Sequence, residues 1–139
     1  MTEFSKELLN EKLAQSYQAL TDLKRYQSVG TLNYLRANPD IYYAVCFRFV
    51  GAIEALFDVG QIVLASSGLR ATSEGEIPTL LARKNIIGDD LATRFTTMYG
   101  FRNRLVHAYG TLDDEKVAAY LADHLGDIEK LLALFQKEV

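Results

Sequence analysis

A chain of 139 residues, 49% hydrophobic and 11% aromatic, is long enough for one domain with a sizeable core and too apolar to be disordered. Its net charge of −3 excludes a dedicated, strongly basic nucleic-acid binder, although charge is uneven. Residues 70–104 hold six Lys/Arg against four acids, and residues 113–139 hold three lysines against seven acids. The first of these segments reads equally as ordinary solvated charge or as a patch for a phosphate-bearing partner.

The N-terminal run MTEFSKELLNEK is polar and lacks the apolar core of a signal peptide. Residues 3–28 carry Leu9, Leu13, Tyr17, Leu20 and Leu23 at helical spacing, which predicts a long amphipathic helix ending near Gly30. In RANPD, Asn38 can cap a new helix and Pro39 suits its first turn. The helix predicted over 40–66 is apolar almost all round, as expected of a buried one. Arg48, Glu54 and Asp58 interrupt it, making it a poor membrane span, so a soluble cytoplasmic protein is expected. The lone cysteine, Cys46, lies in this run and is expected to be a buried, inert thiol.

SSGLRATSEGEIP reads as a loop, followed by a short helix near 78–86. A fourth helix spans 89–108, with Leu91, Phe95, Met98, Leu105 and Val106 on one stripe. After the turn YGTLDDEK, Asp113 or Asp114 can cap a fifth helix that runs to about 137. Val117, Leu121, Leu125, Ile128, Leu132 and Phe135 form its apolar face. No alternating strand pattern occurs. The expected fold is all-α: an up-and-down helical bundle of four main helices plus a short helix, forming a single domain over 1–139.

The stretch RNRLVHAYG, residues 102–110, breaks the pattern of its own helix. At about 100° per residue, Arg102 falls at the centre of the apolar stripe, Asn103 and His107 share its edge, and Tyr109 returns to the face of Arg102. A buried, unpaired guanidinium is costly, so a partner is expected. Glu54 and Asp58, one turn apart on the 40–66 helix, are the candidates. If both carboxylates are buried, removing Arg102 would cost about 3–5 kcal/mol. The arrangement reads either as a structural ion pair or as carboxylates that aim a functional arginine, and the two are compatible. His107 taken alone reads as a structural or surface histidine. His124, inside the apolar stripe of the fifth helix, is read as a core or interface histidine.

No His-Glu-x-x-His, cysteine pair or dense carboxylate cluster suggests a metal, and no phosphate-binding glycine loop or Gly-x-Ser-x-Gly elbow appears. No cofactor is implied. The remaining chemistry is that of an arginine plus a histidine.

Arg102 to Tyr109 fit Arg-x4-His-x-Tyr with Asn103 following the arginine, and so resemble the motif of HEPN domains. Together with AIEALFDVGQ (52–61), MYGFRNRLVHAYG (98–110), the length and the helix order, the chain resembles the HepT-type HEPN toxins along essentially its whole length. That resemblance implies a helical bundle that forms a homodimer around a shared cleft and a metal-independent endoribonuclease acting on RNA. It further implies a partner antitoxin, a MntA-type minimal nucleotidyltransferase, that transfers AMP to the motif tyrosine, here Tyr109. Arg102, His107 and Asn103 would then be catalytic, with Glu54 and Asp58 behind Arg102. Two alternatives come from other classes: a non-catalytic helical partner that presents a substrate or nucleotide to a nucleotidyltransferase, and a structural dimer module.

Overall fold

A computed structural model describes residues 1–107 and 113–139, and these are helical with no strand among them. Seven helices follow in order: α1 (Glu3–Gln27), α2 (Leu32–Ala37), α3 (Pro39–Ser66), α4 (Ile77–Arg83), α5 (Asp89–His107), α6 (Asp114–Asp123) and α7 (Leu125–Gln136). A 3₁₀ turn, Glu74–Glu76, precedes α4. Helices α1, α3, α5 and the α6–α7 pair form the bundle, as the spacing predicts.

α1 begins where the Thr2 hydroxyl accepts the Ser5 N–H at 3.0 Å. It runs antiparallel to α3, as Lys12 meets Asp58, Ser16 meets Ala52 and Asp22 meets Arg48. Leu9, Leu13, Leu20 and Leu23 are buried, but Tyr17 is exposed. Its neighbour Ser16 goes inward instead, where its small side chain permits close approach and its hydroxyl donates to the Ala52 carbonyl at 3.1 Å.

Four local expectations are corrected. The six-residue α2 interrupts the expected connection, capped by the Thr31 hydroxyl. Pro39 opens α3 as expected, but the Asn38 side chain does not cap it; its amide donates back to the Tyr34 carbonyl and closes α2. α4 ends at Arg83, and Asn85 follows in a left-handed conformation (φ 59°). The fifth predicted helix is two helices. Asp113 caps α6 through the Lys116 N–H, and the helical path then breaks at His124 (φ −117°, ψ 5°). At this joint His124 is half-exposed over the Tyr120 ring, 4.5 Å away, rather than in the core.

The core is one cluster centred on α3. Phe57 packs against Phe95 of α5 with ring centroids 4.2 Å apart, and Phe49 meets Phe101 edge-on at 5.2 Å. Phe101 in turn stacks on Tyr120 of α6 at 3.9 Å, fastening the far side of the bundle. Val106, expected on this stripe, is exposed, and Phe101 and Ala92 fill the inner face instead. Burial pushes the Cys46 thiol up to about 11, consistent with an inert cysteine.

α3 is not covered on every side. Tyr43 and Phe47 are 62% and 71% exposed, and Gly51, Glu54 and Asp58 continue the same strip. By length and composition alone α3 could cross a membrane, yet 56% of its most apolar window is buried inside the bundle. Much of the helix is therefore core, and one strip faces out.

Candidate functional site

Arg102 is positioned by the antiparallel packing of α5 on α3. Phe95 and Phe101 dock α5 onto Phe57 and Phe49, which turns the intervening face, and Arg102 with it, toward α3. The arginine side chain is only 15% exposed. Its guanidinium lies over the Tyr99 ring, 5.7 Å from the centroid, and that ring packs on Phe57 at 5.1 Å.

Three oxygens surround the guanidinium. Nη1 donates to Asn103 Oδ1 at 2.7 Å and Nη2 donates to Glu74 Oε2 at 3.2 Å. Glu54 Oε1 lies 3.5 Å from Nε, a charge contact that falls outside hydrogen-bond geometry. Nε is buried and has no hydrogen-bond partner among the described residues. An arginine enters a bundle this way because its stem packs like an aliphatic chain while its charge is met at the rim. Glu54 and Glu74 are each 48% exposed, so the cage is sealed below and open to water above.

The two expected carboxylates thus part company. Glu54 reaches Arg102, but Asp58, one turn further along α3, pairs with Lys12 of α1 at 3.1 Å and is 52% exposed. The antiparallel neighbour α1 takes it. Two residues of the cage, Glu74 and Tyr99, were not anticipated. The Ser73-x-x-Glu76 spacing does mark a helix start, which is where the turn bearing Glu74 lies.

Asn103 is half-buried, and its carbonyl oxygen faces Arg102. His107 is exposed at the last described position of α5. It stands about 7.5 Å along the axis and about 140° around it from Arg102, so the two side chains leave the helix in different directions. Tyr109 lies outside the described residues. No three His, Cys, Asp or Glu side chains converge as a metal cage among the described residues.

Chemically, the site offers a permanent cation whose outer edge can donate to oxygen anions, and an exposed imidazole about one and a half turns away.

The family described as Ribonuclease HepT-like matches residues 17–134. No curated protein matches the sequence. Among solved structures, the chain is similar to the tri-AMPylated Shewanella oneidensis HEPN toxin in complex with MNT antitoxin, at 21% identity and a TM-score of 0.85, with 99% of each chain covered. It is also similar to a toxin–antitoxin crystallised with AMP-PNP, at 21% identity and a TM-score of 0.85, covering 94% of this chain and 98% of that one. At this identity the likeness is one of fold.

Proposed function

Because the chain belongs to the HepT-like family, whose match spans most of its length, we propose that it is a cytoplasmic toxin. In this reading it cleaves RNA without a metal and is silenced by AMP transfer to Tyr109. The observation that carries the proposal is Arg102, caged yet reachable, one helix end away from an exposed His107.

RNA supplies its own nucleophile. A base takes the proton of a ribose 2′-hydroxyl, and the oxygen attacks the adjacent phosphorus. The bond from phosphorus to the 5′-oxygen breaks, and that oxygen takes up a proton. The products are a 2′,3′-cyclic phosphate and a 5′-hydroxyl. Imidazole is the side-chain group best suited to proton transfer, and His107 supplies one. Arg102 meets the charge that builds on the phosphate oxygens. Asn103, bonded to Arg102, belongs to the phosphate side of the site rather than to the imidazole.

One chain supplies one His107, whereas the reaction needs a base and an acid. A homodimer supplies two. The exposed strip of Tyr43 and Phe47, on the helix that carries Glu54, is the apolar surface a second copy would cover.

The solved relatives in complex with antitoxin, one of them tri-AMPylated and another holding AMP-PNP, support a nucleotidyltransferase partner of the MntA type. Its reaction joins the Tyr109 phenol oxygen to the α-phosphorus of ATP and releases pyrophosphate. The adduct would place bulk and negative charge beside the site.

The test is cleavage of a mixed-sequence RNA by the parent protein, Arg102→Ala and His107→Ala, with and without a chelator. Both variants should be inactive while retaining helical circular dichroism. The parent should be indifferent to chelation and leave cyclic phosphate ends. Products with 3′-hydroxyl ends, or activity that vanishes with the chelator, would eliminate the mechanism. Incubation with the cognate nucleotidyltransferase and ATP should add AMP-sized mass to the parent but not to Tyr109→Phe.

A further inference from the structure

We propose that Glu74 is a positioning residue: the hydrogen bond it accepts from Nη2 fixes the plane in which the Arg102 guanidinium meets the RNA phosphate. The inference rests on the RNA-cleavage reading above.

An arginine stem is long and flexible, so its fork is useful only if something holds it. Asn103 is adjacent on α5 and moves with Arg102, so it cannot fix the fork relative to the rest of the domain. Glu54 contributes charge at 3.5 Å without a directional bond, and Nε stays unpaired. Tyr99 supplies a flat floor on which the guanidinium can still rotate. Among the described residues, Glu74 makes the one directional contact to the fork from outside α5.

Glu74 is itself well held. The Thr72 N–H and hydroxyl both donate to Glu76 Oε2, at 2.9 and 2.7 Å, which ties the turn closed. Those bonds hold the Glu76 carboxyl below its usual range, so the tie is charged at neutral pH. Gly75 backs onto the Tyr99 floor, since a Cβ there would lie 3.6 Å from Tyr99 Cε2. Ile77 and Pro78 follow immediately and are buried, anchoring the turn in the core. The turn and the arginine therefore share one platform.

A carboxylate beside a phosphate opposes binding by its charge, which separates positioning from simple attraction. Removing Glu74 should slow the chemical step without weakening RNA binding. The experiment is steady-state cleavage of a fluorescently labelled, mixed-sequence single-stranded RNA by the full chain, comparing parent, Glu74→Ala, Glu74→Gln and His107→Ala, each with a melting curve. Glu74→Ala should lower kcat by about ten-fold or more with KM unchanged or lower. Glu74→Gln keeps an acceptor oxygen and should recover most of that loss. Melting temperatures should agree, because the side chain is half-exposed. An unchanged or raised kcat in Glu74→Ala overturns the assignment, and so does a loss that tracks the melting temperature. If the parent is as inert as His107→Ala, the RNA reading itself fails. Glu74 is then judged by phenylglyoxal labelling of Arg102 followed by mass spectrometry. Several-fold faster labelling in Glu74→Ala supports the restraint, and an equal rate overturns it.

Discussion

Replacing Arg102 by methionine separates the structural from the chemical account of this residue. Methionine keeps an unbranched stem of similar reach, so most of the packing survives and the charge alone is lost. Two ion pairs disappear, to Glu54 and Glu74, but both carboxylates are 48% exposed and regain water when released. Pairs of that kind are worth about 0.2–1 kcal/mol each. The contact with the Tyr99 face adds about 0.5–1 kcal/mol. The lost hydrogen bond to Asn103 is roughly offset because the variant no longer buries an unpaired Nε donor. The net cost is about 1–3 kcal/mol, well below the figure that fully buried carboxylates would imply. For a chain of this length that lowers Tm by roughly 3–12 °C. Differential scanning calorimetry should give one cooperative transition within that range, while RNA cleavage disappears. A fall beyond about 20 °C, or the loss of a single transition, would mean that Arg102 is chiefly a structural ion-pair member.

Other outcomes follow from the same packing. On the homodimer proposed above, Phe47→Glu should shift light scattering from dimer toward monomer while helical circular dichroism is retained, since the ring is exposed in the single chain; an unchanged mass would remove α3 from the proposed interface. Gly60→Ala places a Cβ 2.7 Å from Ile77 Cγ2 and 3.4 Å from Leu81 Cδ1, both on buried side chains, and should cost about 1–3 kcal/mol in urea denaturation; an unaltered midpoint would contradict the close α3–α4 contact. The hydrogen bond from Arg36 holds the Asp114 carboxyl below its ordinary range, so its stabilising effect is present above the unfolded value near pH 4 and is lost as pH falls through the lower folded value. Arg36→Met should therefore flatten the decline of Tm in acid, and an identical acid profile would show that this pair does not link the two helices in solution.

The bundle was legible because its long helices repeat apolar residues every three to four positions, and α1, α3 and α5 lie where that repeat puts them. The break at His124 was not, since one displaced residue leaves Leu121, Leu125 and Ile128 in step and the stripe reads as continuous. α2 is too short to show a period. Within the site, helical phase alone gives the burial of Arg102 and names Glu54 as one of two candidate partners. Asp58 shares that phase, but the side chain nearest to it, Lys12, comes from a helix whose placement no local pattern encodes. Glu74 was hidden for the same reason: a loop residue meeting a helix 28 positions later leaves no periodic trace.

The Arg102 cage draws on Glu54, Glu74, Tyr99 and Asn103, and the helix beneath it is fastened by Tyr120 stacking on Phe101. Its parts are thus contributed by stretches spread over about half the chain, and no single helix or hairpin holds enough of them to assemble the arginine alone. Cooperativity of folding then becomes a property of the site. Amide exchange around Arg102 should proceed through opening of the whole bundle, so a partly synthesised or partly unfolded chain carries the motif without the cage that holds its arginine.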